Sequence, residues 1–231
     1  MQRLVLFDID GTLLSAAGAA GPPFRAALEQ VFGTSGPIDG YSFAGRTDPQ
    51  IARELLGLAG LDRERIEHDL DRIWEIYLAG LRDTLARIPV RVLPGVPRLL
   101  DTLEADPAAI LGLLTGNMRE GARLKLEAAE LGFDRFVVGA FGSDHADRPE
   151  LPALAVRRAE ERFGHRFDGK SVVIIGDTPR DIACGAHLGV RTIAVATGSY
   201  SRAQLADCGP DYVFDNLADT EAVCEAIFSE L

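Results

Sequence analysis

Short apolar runs alternate along this chain with stretches of amphipathic pattern. Four runs are almost continuously apolar, which is typical of strands that are buried on both faces of a parallel sheet. These predicted strands span residues 3–7, 109–114, 171–175 and 190–196. Amphipathic stretches of helical length lie between them, at residues 119–131, 151–163 and 180–188. The alternation predicts an α/β fold with a doubly wound parallel sheet, in which ligands bind at the carboxyl ends of the strands.

Residues 15–91 break this alternation, because they show helical patterns without a strong strand pattern. Within this region, residues 62–88 carry apolar side chains every three or four positions, as on one face of a long helix. Alanines and glycines precede the predicted helices, and prolines follow them. We therefore predict an α/β core over residues 1–14 and 92–231, with a helical cap domain inserted over residues 15–91.

The composition excludes several classes of protein. Lysine and arginine number 24 against 35 aspartates and glutamates, which gives a formal net charge of −11. Such a surface repels phosphate backbones and anionic lipids, so we expect neither a nucleic-acid nor a membrane partner. The 3 cysteines show no CxxC spacing, which argues against a disulfide framework and favours a reducing, cytoplasmic location. No apolar run resembles a signal peptide or a membrane span.

Acidic residues follow two of the predicted strands. Asp8 and Asp10 follow the first strand in the run DIDGT, and Asp177 and Asp181 follow the third in the run GDTPRD. If these strands are neighbours, four carboxylates meet at one sheet edge, where a divalent cation such as Mg²⁺ would relieve their repulsion. The simpler interpretations are an Asx turn for the first pair and a helix N-terminus for the second.

Neutral polar groups follow another predicted strand. Thr115, Gly116 and Asn117 lie between the strand at 109–114 and a predicted helix, where backbone N–H groups can hold a phosphate oxygen. Residues 164–171 also fit the nucleotide-binding pattern GxxxxGK[ST]. That pattern needs a strand before it and a helix after it, and here the order is reversed, so we expect no nucleotide site there.

Together, DxDGT, the strand-final threonine and GDxxxD resemble the motifs of the haloacid dehalogenase superfamily. The resemblance covers the whole chain, and the layout is similar to that of phosphoglycolate phosphatases with a small helical cap after the first strand. It implies a Rossmann-like core and a cytoplasmic, magnesium-dependent phosphatase, monomeric or homodimeric, that acts on a small phosphorylated metabolite. The true dehalogenases lack an acid at the Asp10 position, which favours phosphoryl transfer. A phosphomutase of the same fold and a non-catalytic binding module are the alternatives.

The resemblance also implies a role for each acidic residue. Asp8 would be the nucleophile that forms a phospho-aspartate. Asp10 would protonate the leaving group and later take a proton from water. Asp8, Asp177 and the backbone carbonyl of Asp10 would bind Mg²⁺, with Asp181 binding it directly or through water.

The family also uses a cation, most often a lysine followed by proline, against the phosphate. Here Arg148 precedes Pro149, and we favour Arg148 as catalytic cation and phosphate ligand over its rival Lys125. Arg46 is the candidate contact for the far end of the substrate, although its loop also reads as a helix start capped by Asp48. The other predicted contacts to the substrate are Gly11, Thr115, Gly116 and Asn117.

Overall fold

The computed structural model describes residues 2–230, and a six-stranded parallel sheet forms its centre, in the order β5-β4-β1-β6-β7-β8. The strands are β1 Arg3–Phe7, β2 Leu14–Ser15, β3 Arg91–Val92, β4 Ala109–Thr115, β5 Val138–Phe141, β6 Val172–Gly176, β7 Arg191–Val195 and β8 Tyr212–Phe214. The helices are α1 Gly21–Phe32, α2 Asp48–Leu58, α3 Arg63–Leu85, α4 Val96–Ala105, α5 Arg119–Ala128, α6 Leu151–Phe163, α7 Pro179–Cys184, α8 Arg202–Ala206 and α9 Thr220–Phe228.

Apolar residues on both faces of β1 explain why this strand lies at the centre of the sheet. Val5 and Phe7 belong to a core cluster that includes side chains of α4, α5 and α9. Leu4 and Leu6 belong to the opposite cluster, together with side chains of α6. Successive side chains of a strand point to opposite faces, so a continuously apolar strand requires cover on both sides. The predicted doubly wound parallel sheet is confirmed.

The register brings the predicted motifs to one edge of the sheet. Phe7 pairs with Leu113 of β4 and with Ile175 of β6, and both pairings are parallel. The backbone N–H of Asp8 continues the ladder, donating to the carbonyl of Ile175 over 3.0 Å. The residues that follow β1, β4 and β6 therefore meet at the carboxyl edge, because these strands are neighbours in the sheet.

Three helices, α1, α2 and α3, lie between β2 and β3. These two strands form a separate antiparallel pair, in which Leu14 lies opposite Val92 and Ser15 lies opposite Arg91. This pairing joins the two points at which the chain enters and leaves the helical segment. We call residues 15–91 the helical insert; its independence as a cap domain stays a prediction.

Several elements differ from the sequence prediction. The long helix is confirmed, but it begins after Asp62, whose side chain caps it by accepting a hydrogen bond of 2.9 Å from the N–H of Arg65. The helix predicted at 180–188 is wrong in length, because α7 ends at Cys184 and a separate 3₁₀ turn follows over Ala186–Leu188. The pattern also missed four of the strands and four of the helices, which are β2, β3, β5, β8, α1, α4, α8 and α9.

Candidate active site

Three buried carboxylates lie together at the carboxyl edge of the sheet. Oxygens of Asp8, Asp177 and Asp181 all fall within 4.8 Å of one another. Burial, opposed by Arg148 and reinforced by Asp181, raises the pKa of Asp8 to about 7. Burial and the charges of Asp181 and Asp8 raise the pKa of Asp177 to about 8. Carboxylates held this close without a proton need a cation, and oxygen ligands of this kind suit a hard divalent ion.

Two glycines leave just enough space for the Asp177 carboxylate. A Cβ on Gly198 would lie 1.7 Å from Oδ2 of Asp177, and one on Gly11, whose φ is +87°, would lie 2.4 Å from the same atom. Thr12 donates a hydrogen bond of 3.1 Å to Oδ1 of Asp177. Gly11 lines the cavity, and its carbonyl accepts a hydrogen bond of 2.5 Å from Thr197. Its predicted contact with substrate stays a prediction.

Arg148 is the cation of the buried cluster. Its side chain is only 4% exposed, and Nη2 lies 3.1 Å from Oδ1 of Asp8 while it also pairs with Oδ1 of Asp181. The residue stands in a 3₁₀ turn, Arg148–Glu150, directly before α6. Nε makes no hydrogen bond to any residue between 2 and 230. The guanidinium is thus fixed on the nucleophile candidate by two carboxylates, as a preorganised donor should be.

Asp181 caps the start of α7, as its simpler interpretation predicts, and also pairs with Arg148. Its Oδ2 accepts hydrogen bonds from the N–H and the hydroxyl of Thr178, at 2.9 and 2.7 Å, in a capping box at the start of α7. Its Oδ1 pairs with Arg148. Both oxygens therefore already accept hydrogen bonds, and the predicted binding of a metal ion by Asp181, directly or through water, stays a prediction.

Asp10 lies apart from this cluster, in a second polar network. Its side chain is 43% exposed, and Oδ2 accepts from Nζ of Lys125 at 2.6 Å and from Nδ2 of Asn117 at 2.8 Å. Asn117 in turn accepts from Lys125 at 2.6 Å and donates to the hydroxyl of Thr115 at 2.8 Å. The two candidate cations therefore form ion pairs with different aspartates: Arg148 pairs with Asp8, and Lys125 pairs with Asp10.

A cavity of about 680 Å³ opens between the sheet edge and the helical insert. All ten predicted site residues except Asp181 line it. The insert contributes Arg46, whose Nη1 donates to the carbonyl of Ser42 at 2.7 Å. Nε of Arg46 lies 3.3 Å from Oε2 of Glu54, an ion-pair distance without the alignment of a hydrogen bond. Arg46 thus lines the cavity but already has an anionic partner, and its contact with the substrate stays a prediction.

Two lining residues of the insert were missed by the sequence analysis. Asp48 is not the helix cap, because the hydroxyl of Thr47 accepts from the N–H of Gln50 at 3.1 Å and fills that role. Oδ2 of Asp48 instead accepts from the N–H of Met118, in the core, at 2.8 Å. Burial, opposed by Lys125, raises the pKa of Asp48 to about 6.

The second is Tyr77, which the apolar pattern assigned only to the buried face of the long helix. It is 1% exposed and also lines the cavity. Burial, reinforced by the negative charges of Asp48 and Asp10, holds the pKa of its hydroxyl well above the ordinary value. The one signal in the sequence for a place on the cavity was that a tyrosine stands among the aliphatic residues predicted for the buried face of this helix.

The GxxxxGK[ST] pattern has the order that excludes a phosphate loop. Helix α6 ends at Phe163 before it, and β6 begins at Val172 after it. Lys170 donates to Oδ1 of Asp211 at 2.5 Å, on the surface. Among residues 2–230, no helix is both long enough and apolar enough to span a membrane.

Known proteins are similar to this chain over nearly its whole length. The model of the HAD-hydrolase-like family matches residues 150–220. A protein of Dickeya dadantii named probable phosphatase IndB is 26% identical, over 98% of this chain and 95% of its own length. The phosphoglycolate phosphatase of Synechococcus elongatus is 26% identical, over 94% of this chain and 95% of its own length.

A solved structure shows the same fold. The crystal structure of a hydrolase from Pseudomonas syringae superposes with a TM-score of 0.72 at 18% identity, covering 97% of this chain and 98% of that chain. The relatives and the family match agree with the motifs at the sheet edge, so the predicted resemblance is confirmed. The chain therefore resembles the haloacid dehalogenase-like hydrolases, and its similarity to proteins named as phosphatases supports a phosphoric monoester hydrolase.

Proposed function

We propose that this protein is a magnesium-dependent phosphatase that hydrolyses a small phosphomonoester metabolite through a phospho-aspartate on Asp8. One observation carries the proposal: the two aspartates of the DxDGT run stand in different surroundings. Asp8 is buried against Arg148 and near Asp177, whereas Asp10 is half-exposed to the cavity. Such a division fits one carboxylate as nucleophile and the other as proton carrier.

The first half-reaction joins Asp8 to the phosphoryl group. A carboxylate oxygen of Asp8 attacks phosphorus, the bond from phosphorus to the ester oxygen breaks, and Asp10 delivers a proton to the departing alcohol. Arg148, held at 3.1 Å from Asp8, neutralises charge on the transferring group. In the second half-reaction a water molecule attacks phosphorus, its proton passes to Asp10, and the bond from phosphorus to Asp8 breaks, releasing phosphate.

The buried carboxylates fit the magnesium ion that the family implies. Asp8, Asp177 and the backbone carbonyl of Asp10 would hold it, and Asp181 would act through water because its oxygens already serve Arg148 and Thr178. The fit is supported by the shared 4.8 Å sphere of carboxylate oxygens. When bound, the ion would neutralise phosphate charge and keep the nucleophile ionised.

The loop after β4 supplies the phosphate-binding part of the proposal. Thr115 is fully buried and lines the cavity with Gly116 and Asn117. Gly116 also touches the insert, because its carbonyl accepts a hydrogen bond of 2.8 Å from the N–H of Asp48. We assign the Thr115 hydroxyl and the backbone amides of Gly116 and Asn117 to the phosphoryl oxygens.

The helical insert limits the size of the substrate in this proposal. It covers the sheet edge and would exclude bulk water during transfer and open for exchange of substrate and product. A cavity of about 680 Å³ accommodates a small metabolite and no folded macromolecule. The free thiols of Cys184, Cys208 and Cys224 agree with a cytoplasmic location. The assembly we propose is a monomer or homodimer.

The decisive experiment follows phosphate release from p-nitrophenyl phosphate with and without Mg²⁺. We expect release that depends on the metal and is lost in Asp8→Asn, with a phosphorylated protein trapped by rapid acid quench of the wild type. Asp207→Asn, at an exposed aspartate outside the cavity, is the matched control. Activity that survives both Asp8→Asn and chelation would refute the mechanism. Return of the phosphoryl group to a sugar phosphate, without net release, would establish a mutase instead.

A further inference from the structure

The cationic side chains of the cavity are all committed to anionic partners. Within the described part of the chain, three such side chains line it: Arg46, Lys125 and Arg148. Arg148 pairs with two aspartates, Lys125 pairs with Asp10, and Arg46 pairs with Glu54. The phosphate and its metal ion account for the buried cluster around Arg148. Among the described residues that line the cavity, a second negative charge on the substrate would therefore find no cation without an anionic partner.

The side of the cavity formed by the insert carries a negative charge and an unused hydroxyl instead. Asp48 is 9% exposed, and its Oδ2 accepts from Met118 while its Oδ1 has no hydrogen-bond partner within residues 2–230. Tyr77 is 1% exposed, lines the same cavity, and its hydroxyl likewise makes no hydrogen bond to any described residue. Neither oxygen is among the fully buried polar atoms that lack a partner, so both are accessible where these residues line the cavity.

These two groups offer complementary hydrogen bonds. The Asp48 carboxylate can only accept a hydrogen bond, and the Tyr77 hydroxyl can donate one. A single ligand group that contacts both must therefore donate to Asp48 and accept from Tyr77. An alcohol hydroxyl does this. A carboxylate accepts only, and beside Asp48 it would be repelled by a like charge.

We propose that the leaving group of the substrate is an uncharged alcohol with a second hydroxyl, bound by Asp48 and Tyr77, and that a carboxylate at that position is disfavoured. The substrate class is therefore a polyol or sugar phosphate, in contrast to phosphoglycolate, although relatives of this chain bear that substrate's name. This inference rests on the proposed function, because it places the transferred phosphate at Asp8 and the leaving group towards the insert.

Two esters of the same size test the proposal. 2-Hydroxyethyl phosphate carries a hydroxyl where 2-phosphoglycolate carries a carboxylate. We expect kcat/KM to be at least roughly tenfold higher for 2-hydroxyethyl phosphate, since one unpaired charge or one lost hydrogen bond in a buried site gives discrimination of that order. A preference for phosphoglycolate that disappears in Arg46→Met would overturn the proposal and assign Arg46 to a substrate carboxylate.

Two variants test which residues discriminate between the two esters. Tyr77→Phe keeps the ring, whose centroid lies 5.2 Å from that of Phe24, and removes only the hydroxyl. It should lower kcat/KM for 2-hydroxyethyl phosphate about tenfold and leave that for phosphoglycolate nearly unchanged. Asp48→Asn can still accept from Met118, and it should raise kcat/KM for phosphoglycolate. Tyr212→Phe, on β8 outside the cavity, is the control. An equal loss for both esters in Tyr77→Phe would contradict the assignment.

A binding measurement separates this inference from the proposed function. Calorimetry with the Asp8→Asn protein and Mg²⁺ measures affinity for both esters without turnover. Tighter binding of 2-hydroxyethyl phosphate supports the inference even if no ester is hydrolysed by the wild type, in which case only the proposed function fails. Equal or tighter binding of phosphoglycolate overturns the inference, even if p-nitrophenyl phosphate is hydrolysed as expected.

Discussion

Nζ of Lys125 lies 2.6 Å from Oδ2 of Asp10, although the two residues are separated by 115 positions in the chain. Helix α5 carries the lysine, whose side chain is 4% exposed, and the loop after β1 carries the aspartate. Asn117 completes the contact, accepting from Lys125 and donating to Asp10. The proposed proton carrier is therefore held from two sides, and Lys125 acts on it as a positioning residue.

Lys125→Met should reduce turnover in a way that depends on the leaving group. An alkyl phosphate needs protonation of its departing oxygen, so we expect kcat to fall about a hundredfold, within the range for loss of a general acid. p-Nitrophenyl phosphate has a leaving group that needs little protonation and should lose much less. The measurement is kcat and KM for both esters in the variant and the wild type.

Lys170→Met provides the control for that experiment, because Lys170 is the other lysine of the chain and lies on the surface against Asp211. It should leave both esters unaffected. If Lys125→Met instead raised KM equally for both esters at unchanged kcat, Lys125 would be a phosphate ligand, as the rival assignment holds.

Arg148→Met should impair both activity and folding. Removing a buried cation leaves Asp8 and Asp181 without their shared partner, a change that typically costs about 3–5 kcal/mol. The loss of stability should be larger at pH 8 than at pH 5, because Asp8, whose pKa burial raises to about 7, can take up a proton at the lower pH. Urea unfolding at the two pH values measures it, and Arg148→Lys should restore part of both properties.

A double substitution tests the origin of that instability. Asp8→Asn removes one of the two charges that Arg148 neutralises, so it should recover part of the stability lost in Arg148→Met. Strict additivity of the two changes would show that the contact between Asp8 and Arg148 contributes nothing.

The four apolar strands and the motifs that follow them were predictable, because each is marked by a strong local pattern in the sequence. β1 is apolar on both faces and is followed by two aspartates, and β6 repeats this arrangement before Asp177. Short strands gave no such signal: β5 contains a glycine in its four residues and β8 has only three residues. Their pairing depends on the neighbouring strand more than on their own pattern.

The sequence did not predict the long-range polar contacts around the cavity. Asp48 satisfies the rules for a helix start, yet Thr47 caps the helix and Asp48 contacts Met118, 70 positions away. Lys125 lies on an ordinary amphipathic helix, and only the tertiary fold brings it to Asp10. The hydrophobic pattern of a helix indicates which face is buried, but it does not indicate which polar groups that face contacts.

The metal-free protein should lose stability as the pH rises from about 4 to about 8. Burial raises the pKa of Asp48, Asp8 and Asp177 to about 6, 7 and 8, so the folded state holds protons that the unfolded state has released. The stability associated with these protons is complete below the unfolded pKa and is lost as the pH passes the folded values. The urea midpoint in EDTA should therefore be lower at pH 8 than at pH 5.

Magnesium should reverse this loss. In the proposed site it would bind the ionised carboxylates, so its effect on the urea midpoint should be large at pH 8 and small at pH 5. Asp177→Asn should flatten the pH dependence in EDTA and weaken the response to Mg²⁺, while Asp207→Asn should change neither. A midpoint in EDTA that rises between pH 5 and pH 8 would show that Asp8 and Asp177 do not hold their protons in the folded state.

Gly198→Ala should disable the metal site without unfolding the protein. The added Cβ would lie 1.7 Å from Oδ2 of Asp177, so this carboxylate, which Thr12 also holds, must move. A displacement of about 1 Å at a reacting group can cost roughly a hundredfold in rate, and we expect a loss of that order with weaker Mg²⁺ affinity. Activity as a function of Mg²⁺ concentration measures both effects.

Gly57→Ala is the matched control, because Gly57 is exposed on α2 and a Cβ there would meet nothing within 4 Å. Alanine favours a helix over glycine by up to about 1 kcal/mol, so this variant should be slightly more stable and fully active. If Gly198→Ala retained wild-type activity and Mg²⁺ affinity, Asp177 could not be a ligand fixed in the position that the Gly198 backbone leaves for it.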